Sequence, residues 1–356
     1  MVRLNKIILV FLLFCLILAC QHTKNDSEES SVSIQFWYGK NQKFGNNGIP
    51  QKWINILGNI NANGGVESAF YRLNNEDSVT LTLGSDLHRL AEEGDFNIDI
   101  AYEDCEPGKN QIQVFVTDSA GRKASKTLDI AVIKNKKWPL PYTIKWSEIE
   151  NIQDAVQIVD GQWVISEDGI HNLDIYYDRM VTFGDTTWKN YEVITTVTFH
   201  DFIPPKHGPP TYNVSHAAIA VRWPGHSKDD LQPHRQWYPL GATSEFRLTP
   251  GLDSCRWRIF DGPKQNSEKF YVEQPVDDFR KTELNKTYGM KHRVESIGAG
   301  KTKYSVKLWP LEQEEPAEWD FSGIENNENV CSGSAALLAH NTSVTFGDIY
   351  VQPVEK

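Results

Sequence analysis

Five of the ten histidines fall in one stretch, at His200, His207, His216, His226 and His234, with Asp201, Asp229 and Asp230 among them. Imidazole and carboxylate together are the donors of a metal centre, but such sets usually repeat at short fixed spacings on one element. Here they are scattered over Pro-rich loops (IPPKHGPP, WPGHSKDDLQPH) and read as loop surface. The acids are no better placed for hydrolysis. Glu192 stands alone on its strand, and Glu273 and the pair Asp277-Asp278 lie in a Pro-containing loop. No catalytic residue is assigned. The stronger pattern is cationic. Arg222, Arg256, Arg258, Lys291, Arg293 and Lys307 all take the polar side of an alternating run. On neighbouring strands they would build one basic sheet face on a chain of formal net charge −11. Like charges on one face repel, and a carboxylated or sulfated polysaccharide would relieve that, with Arg pairing its carboxylates in bidentate fashion. The alternative is an ordinary solvated face.

Aromatic residues divide in two. Trp163, Trp188 and Tyr191 sit on apolar faces and read as core. Trp223, Trp237, Tyr238 and Trp309 lie at strand ends or in loops beside Arg222, Gly225, Arg235 and Pro310. An indole there could stack on a sugar ring, or could simply cover the end of a sandwich. The ligand set expected from sequence is therefore Arg222, Trp223, Trp237, Arg256, Arg258 and Arg293, with carbohydrate as partner. The acidic balance argues against nucleic acid.

The elements that must position these residues are strands. From Tyr191 to Phe199, Tyr191, Val193, Thr195, Val197 and Phe199 share one face, and Glu192, Ile194, Thr196 and Thr198 share the other. Such alternation predicts a half-buried strand. Residues 33–134 predict one β domain, with strands at Ser33–Tyr38, Val66–Arg72, Val79–Leu83, Phe96–Ile100, Gln111–Thr117 and Lys126–Ile133. Asp86–Glu93 could form a short helix across one end. Residues 135–142 are a linker with two prolines, stiff rather than hinged. Residues 143–356 predict a second, larger β unit, with strands that include His216–Trp223, Glu245–Leu248, Cys255–Phe260, Gly289–Glu295, Lys303–Trp309 and Ser334–Ala339.

The N-terminus is an address. Arg3 and Lys6 precede an apolar run of twelve, Ile7–Leu18, too short to span a bilayer comfortably. The ending Leu16-Ile17-Leu18-Ala19-Cys20 resembles a bacterial lipobox. That resemblance implies a signal peptide over residues 1–20, acylation of Cys20 and attachment to the cell envelope. Gln21 at the next position implies the outer membrane in a Gram-negative host. Residues 21–32 are polar and read as a tether. Of the remaining thiols, Cys255 and Cys331 share the second unit and are the pair that could bond. Three free thiols, with Cys105, is the other reading.

Two further resemblances are fold-level. PGKNQIQVFVTDSAGRKASKTLDIAV resembles the last hairpin of immunoglobulin-like and cadherin-like modules. The closing run from Gly333 to Val351 resembles the end of concanavalin-like lectin/glucanase domains, whose last strand has the form F-x-D-I-x-V. The implied fold is all-β, an immunoglobulin-like β-sandwich followed by a concanavalin-like jelly roll. By the same resemblance Asp348 would hold one structural calcium. The E-x-D-x-x-E strand of jelly-roll glucanases is absent. Arg280–Leu284 only partly echoes the R-[TS]-E-L-R strand of jelly-roll alginate lyases, departing at Lys281. The function these features imply is non-catalytic binding of a glycan or surface polymer, with the first domain as spacer. A glycoside hydrolase or polysaccharide lyase, and an envelope protein that binds protein, are the rivals.

Overall fold

The structure is a computed structural model that describes residues 32–86, 88–203, 214–237, 239–262, 270–326 and 330–354. The N-terminal address, the tether up to residue 31, His207 and Tyr238 lie outside the described residues, and Val32, expected in the tether, opens the first strand. The fold is all-β. Its first eight strands are β1 (Val32–Phe36), β2 (Asn41–Phe44), β3 (Trp53–Ala62), β4 (Val66–Leu73), β5 (Val79–Thr80), β6 (Asp95–Ala101), β7 (Gly108–Asp118) and β8 (Lys123–Val132). Sheet β1-β3-β6 packs on sheet β2-β8-β7-β4-β5. Alternation builds the core between them, as Phe96, Ile98 and Ile100 join Ile112, Val114 and Val116. Asn97 and Asp99, on the opposite side of β6, are buried too, because that side faces the second sandwich.

Strand β3 sets Ile54, Ile56 and Ile60 against Asn55, Asn59 and Asn61, but Trp53 and Leu57 on the polar side and Gly58 on the apolar side blur the alternation. Its Gly58 allows a close approach that a side chain would block: a Cβ there would lie 2.1 Å from the Gln35 carbonyl oxygen and 2.4 Å from the Phe96 ring. The expected helix over Asp86–Glu93 does not form. Asp86 Oδ1 instead accepts from the backbone N–H groups of His88 (2.8 Å) and Leu90 (2.9 Å), which fixes a turn. The turn pushes Arg89 into the junction between the sandwiches.

The second unit holds β9 (Tyr142–Ile144), β10 (Gln157–Asp160), β11 (Trp163–Ser166), β12 (Gly169–Asn172), β13 (Asp178–Phe183), β14 (Tyr191–Phe202), β15 (Ser215–Trp223) and β16 (Leu240–Leu248). It continues through β17 (Arg256–Gly262), β18 (Tyr271–Glu273), β19 (Thr287–Gly298), β20 (Lys301–Pro310), β21 (Phe321–Glu325), β22 (Ser334–His340), β23 (Thr342–Phe346) and β24 (Ile349–Pro353). One sheet has seven strands, β10-β13-β22-β15-β16-β17-β18. The other has nine, ordered β11-β12-β23-β14-β19-β20-β21, with β24 beside β14 and β9 beside β24. The inner face of β14 (Val193, Val197, Phe199) packs on inner residues of the seven-stranded sheet such as Ile219, Phe246 and Trp257. Burying each side chain of this size stabilises by about 1.5–3 kcal/mol.

The turn at Gly184-Asp185 docks the linker. Asp185 Oδ2 accepts from Trp138 N (3.0 Å), Oδ1 accepts from Thr187 N (3.0 Å), and Trp188 Nε1 donates to the Trp138 carbonyl (3.2 Å). Trp138 is itself buried in the core of the second sandwich. Cys105 and Cys255 are buried, Cys331 is exposed, and all three are free thiols, so no Cys255–Cys331 bond forms.

Candidate functional site: the cleft of the seven-stranded sheet

Strand register lays the outer face of the seven-stranded sheet out in rows. One row runs Asp178, His340, His216, Arg247, Arg256 across β13, β22, β15, β16 and β17. The next runs Asp160, Met180, Leu338, Ala218, Glu245, Arg258, Glu273. A third runs Thr182, Ala336, Ala220, Thr243, Phe260, Tyr271. The middle of the sheet is thus floored by small apolar side chains, with charge and aromatic rings toward its margins.

Over this floor lies a cleft of about 660 Å³. Trp237 closes one end, against Trp223 (ring centroids 5.6 Å apart) and His226 (5.5 Å). His88 and Arg89 of the first sandwich form part of the wall. Arg89 is buried, with Nε 2.6 Å from Asp160 Oδ1 and Nη1 2.6 Å from Asp99 Oδ2. Asn97 Nδ2 donates to the Val159 carbonyl (2.7 Å), and Gln232 Nε2 donates to the Asp99 carbonyl (3.0 Å). The first domain is therefore not a detached spacer, because its side chains complete the cleft and its junction is fastened by buried hydrogen bonds.

The cleft holds titratable groups in low-dielectric surroundings. Burial, against the pull of Arg89 and Arg179, pushes the Asp160 carboxyl up to about 7. Burial first, then the neighbouring His340 and Arg258, holds His216 well below the usual histidine range. Burial and Arg89 do the same for His226. Both rings are neutral at physiological pH. His340 Nδ1 donates to Asp178 Oδ1 at 2.7 Å, and the His340 and His216 rings stack at 4.6 Å, within 4° of parallel. His216 Nδ1, His340 Nε2 and Thr243 Oγ1 are buried with no hydrogen-bond partner.

Asp160 and Asp178 are diagonal neighbours on β10 and β13, roughly 7–8 Å apart, but Asp160 is held by Arg89 and Asp178 by His340. The other cleft carboxylate on the sheet, Glu245, is too far from either for sugar hydrolysis by a carboxyl pair. Asp178 and Glu245 are three strands apart, and Asp160 and Glu245 four. At about 4.8 Å per strand that is roughly 14 and 19 Å. A paired-carboxyl glycosidase needs about 5–9.5 Å.

The basic face expected from sequence does not exist. Arg256 and Arg258 lie on the seven-stranded sheet, whereas Lys291, Arg293 and Lys307 lie on the nine-stranded one, on the far side of the core. Each cation also has an acid beside it. Arg258 is 2.5 Å from Glu245, Arg256 is 3.0 Å from Glu273, and Arg293 is 2.5 Å from Glu192. Arg222 is fully buried in an αL backbone conformation (φ 52°), donating to the carbonyls of Lys189 (2.9 Å) and Val330 (3.1 Å). Trp223 is fully buried and offers no stacking platform, and Trp309 is nearly so. Among the expected ligand contacts, Trp237 and Arg258 line the cleft.

The histidines are not loop surface either, since His216, His226 and His234 are buried. Asp348 Oδ1 accepts from the Trp146 backbone N–H at 3.0 Å. That bond uses one lone pair of Oδ1 and leaves Oδ2, so it neither builds nor bars the calcium expected there. Among the described residues the one group of three His, Cys, Asp or Glu placed to hold an ion is Asp178, His216 and His340. Sequence could not reveal it. The three residues are far apart in the chain, and only the β13-β22-β15 register joins them.

No family model and no curated protein matches this chain. Among solved structures, the exoplasmic/lumenal domain of VIP36 in its Ca²⁺/mannose-bound form is similar at 9% identity and TM-score 0.38, over 61% of this chain and 90% of that one. The endo-β-1,4-glucuronan lyase of the fungus Trichoderma reesei is similar at 8% identity and TM-score 0.32, over 82% and 94%. Likeness this slight adds nothing to what the strand order says by itself. The second sandwich is a jelly roll.

Proposed function

We propose that the chain is a glycan-binding lipoprotein of the cell envelope whose ligand lies in the cleft of the seven-stranded sheet. The observation that carries this reading is the meeting, in one cleft, of an indole wall at Trp237 with buried polar atoms that lack protein partners, at Thr243, His216 and His340. Buried polar atoms are ordinarily satisfied, and a polyhydroxy ligand can both donate to and accept from them. An acidic polymer and a neutral one both suit a cleft in which Arg258 is already paired to Glu245. The test is a glycan array with the chain from Gln21 onward. Binding to one saccharide class, lost in Trp237→Ala, supports the reading, and no binding to any glycan overturns it. The envelope address rests on Cys20. Cys20→Ser is expected to abolish palmitate labelling, and unchanged labelling contradicts the anchor.

One observation favours the enzyme rival. Asp178 holds His340 Nδ1, which leaves Nε2 as the basic nitrogen, the arrangement of a general base fixed in one tautomer. That suits elimination from a polysaccharide better than hydrolysis by a carboxyl pair. Array hits incubated with the chain would then release unsaturated ends, seen by ultraviolet absorbance.

A further inference from the structure

We propose that Asp178, His216 and His340 bind one divalent transition-metal ion, zinc foremost, at the margin of the cleft. The three residues come from successive strands and sit directly opposite one another, Asp178 with His340 and His340 with His216. Cross-strand neighbours bring their Cβ atoms to about 4.5–5.5 Å. One potential ligand atom from each residue accordingly lies within 4.8 Å of the other two. Two imidazoles and a carboxylate are the donors that zinc and its neighbours prefer, whereas calcium prefers oxygen alone.

The two histidines are independent evidence that something is to be bound. Their side chains are only 5% exposed, yet His216 Nδ1 and His340 Nε2 have no hydrogen-bond partner. The opposite nitrogen of each ring faces a carboxylate, Glu245 at 3.5 Å from His216 Nε2 and Asp178 at 2.7 Å from His340 Nδ1. Glu245 is so placed to orient a metal-bound His216 and raise its basicity, whereas Asp178 becomes a ligand by releasing His340 Nδ1 as that ring turns. Parallel rings aim their lone pairs side by side, so loading requires one ring to turn, and the cleft beside them has the room. Three protein ligands leave further positions on the ion open to a sugar oxygen. An ion on His340 takes the lone pair that the general-base reading needs, so the two cannot operate together.

The test uses the full chain, purified without a polyhistidine tag and stripped of metal. Zinc is titrated by calorimetry, and cobalt(II) by its visible absorption. The expected result is saturable binding of one equivalent, weakened at least tenfold in His216→Ala and in His340→Ala. His200→Ala, on the other sheet, should bind as the wild type. Melting curves of each variant check folding. If an alanine variant does not fold, Asp178→Asn, at a half-buried position, replaces it, with the same tenfold loss expected. No saturable uptake of either metal, or uptake unchanged in the folded variants, overturns the proposal. The readout needs no glycan, so its failure leaves the sugar-binding reading standing.

Discussion

The two outer faces of the jelly roll carry similar residues and have opposite characters. On the nine-stranded sheet, Glu192 and Glu315 bind Lys291, Arg293 and Lys307 in a continuous lattice, with contacts between 2.5 and 3.0 Å. Trp319 lies over that lattice, 4.8 Å from Lys307 and 5.0 Å from Arg293. No side-chain atom of those five charged residues is buried without a partner. On the seven-stranded sheet the pairs Arg258–Glu245 and Asp178–His340 exist as well, but they border a cleft walled in part by the first sandwich, and several polar atoms remain unsatisfied. Charge alone does not mark a binding face. What distinguishes the second face is concavity with unmet hydrogen-bonding capacity.

The largest expected effect contrasts the two lattices. Arg89→Ala strands Asp99 and Asp160 in the buried junction and should cost about 3–5 kcal/mol in urea unfolding. Arg293→Ala leaves Glu192 paired to Lys291 at 2.8 Å and should cost within about 1 kcal/mol. Equal losses would erase the distinction between the faces. Salt sharpens it next. Because the cations on both faces are already paired, an acidic glycan and its neutral analogue should differ by no more than a few-fold in affinity, with little change between low and high salt. A steep salt dependence would restore a basic face.

A smaller effect concerns the end where the sheets meet. Burial and the neighbouring Glu325 push the Asp261 carboxyl up to about 9. The folded chain keeps that proton, whereas the unfolded chain loses it above about pH 4. The unfolded state thus binds fewer protons across this window. The contribution of Asp261 to stability is greatest below about pH 4 and falls as pH rises toward about 9. Asp261→Asn should flatten this slope and raise the melting temperature at pH 8, and an unchanged pH profile would contradict the assignment.

The smallest effect is at Asp348. If it acts only as an acceptor for Trp146 N–H, Asp348→Asn is near neutral, Asp348→Ala costs about 1 kcal/mol, and neither calcium nor chelator moves the melting temperature. A calcium-dependent shift would place an ion there.

Much of the architecture was legible because period-two alternation reports directly on which side of a strand is buried. β14, β15, β19 and β20 were read this way. β3 and β22 show the limit. In the first, Trp53 and Leu57 stand among Asn55, Asn59 and Asn61, and Gly58 interrupts the isoleucines, so the alternation is blurred. The second was found, but its sequence could not say that both faces are covered. The cleft itself was not legible. Alternation says that Arg258 and Arg293 point away from the core, but not that their sheets lie on opposite sides of it. His216 and His340 are 124 positions apart and adjacent only by register. Arg222 misled for another reason. It sits where β15 bulges against β22, so a charged residue that parity placed outside is turned into the sandwich end.

The central claim, that the ligand occupies the seven-stranded cleft, is tested most directly by filling it. Thr243→Trp places an indole in the cleft, while Arg293→Ala perturbs only the opposite face. Both are titrated by calorimetry with the strongest glycan from the array, after melting curves confirm folding. Thr243→Trp is expected to abolish binding, and Arg293→Ala to bind as the wild type. Binding that survives Thr243→Trp but is lost in Arg293→Ala would contradict it.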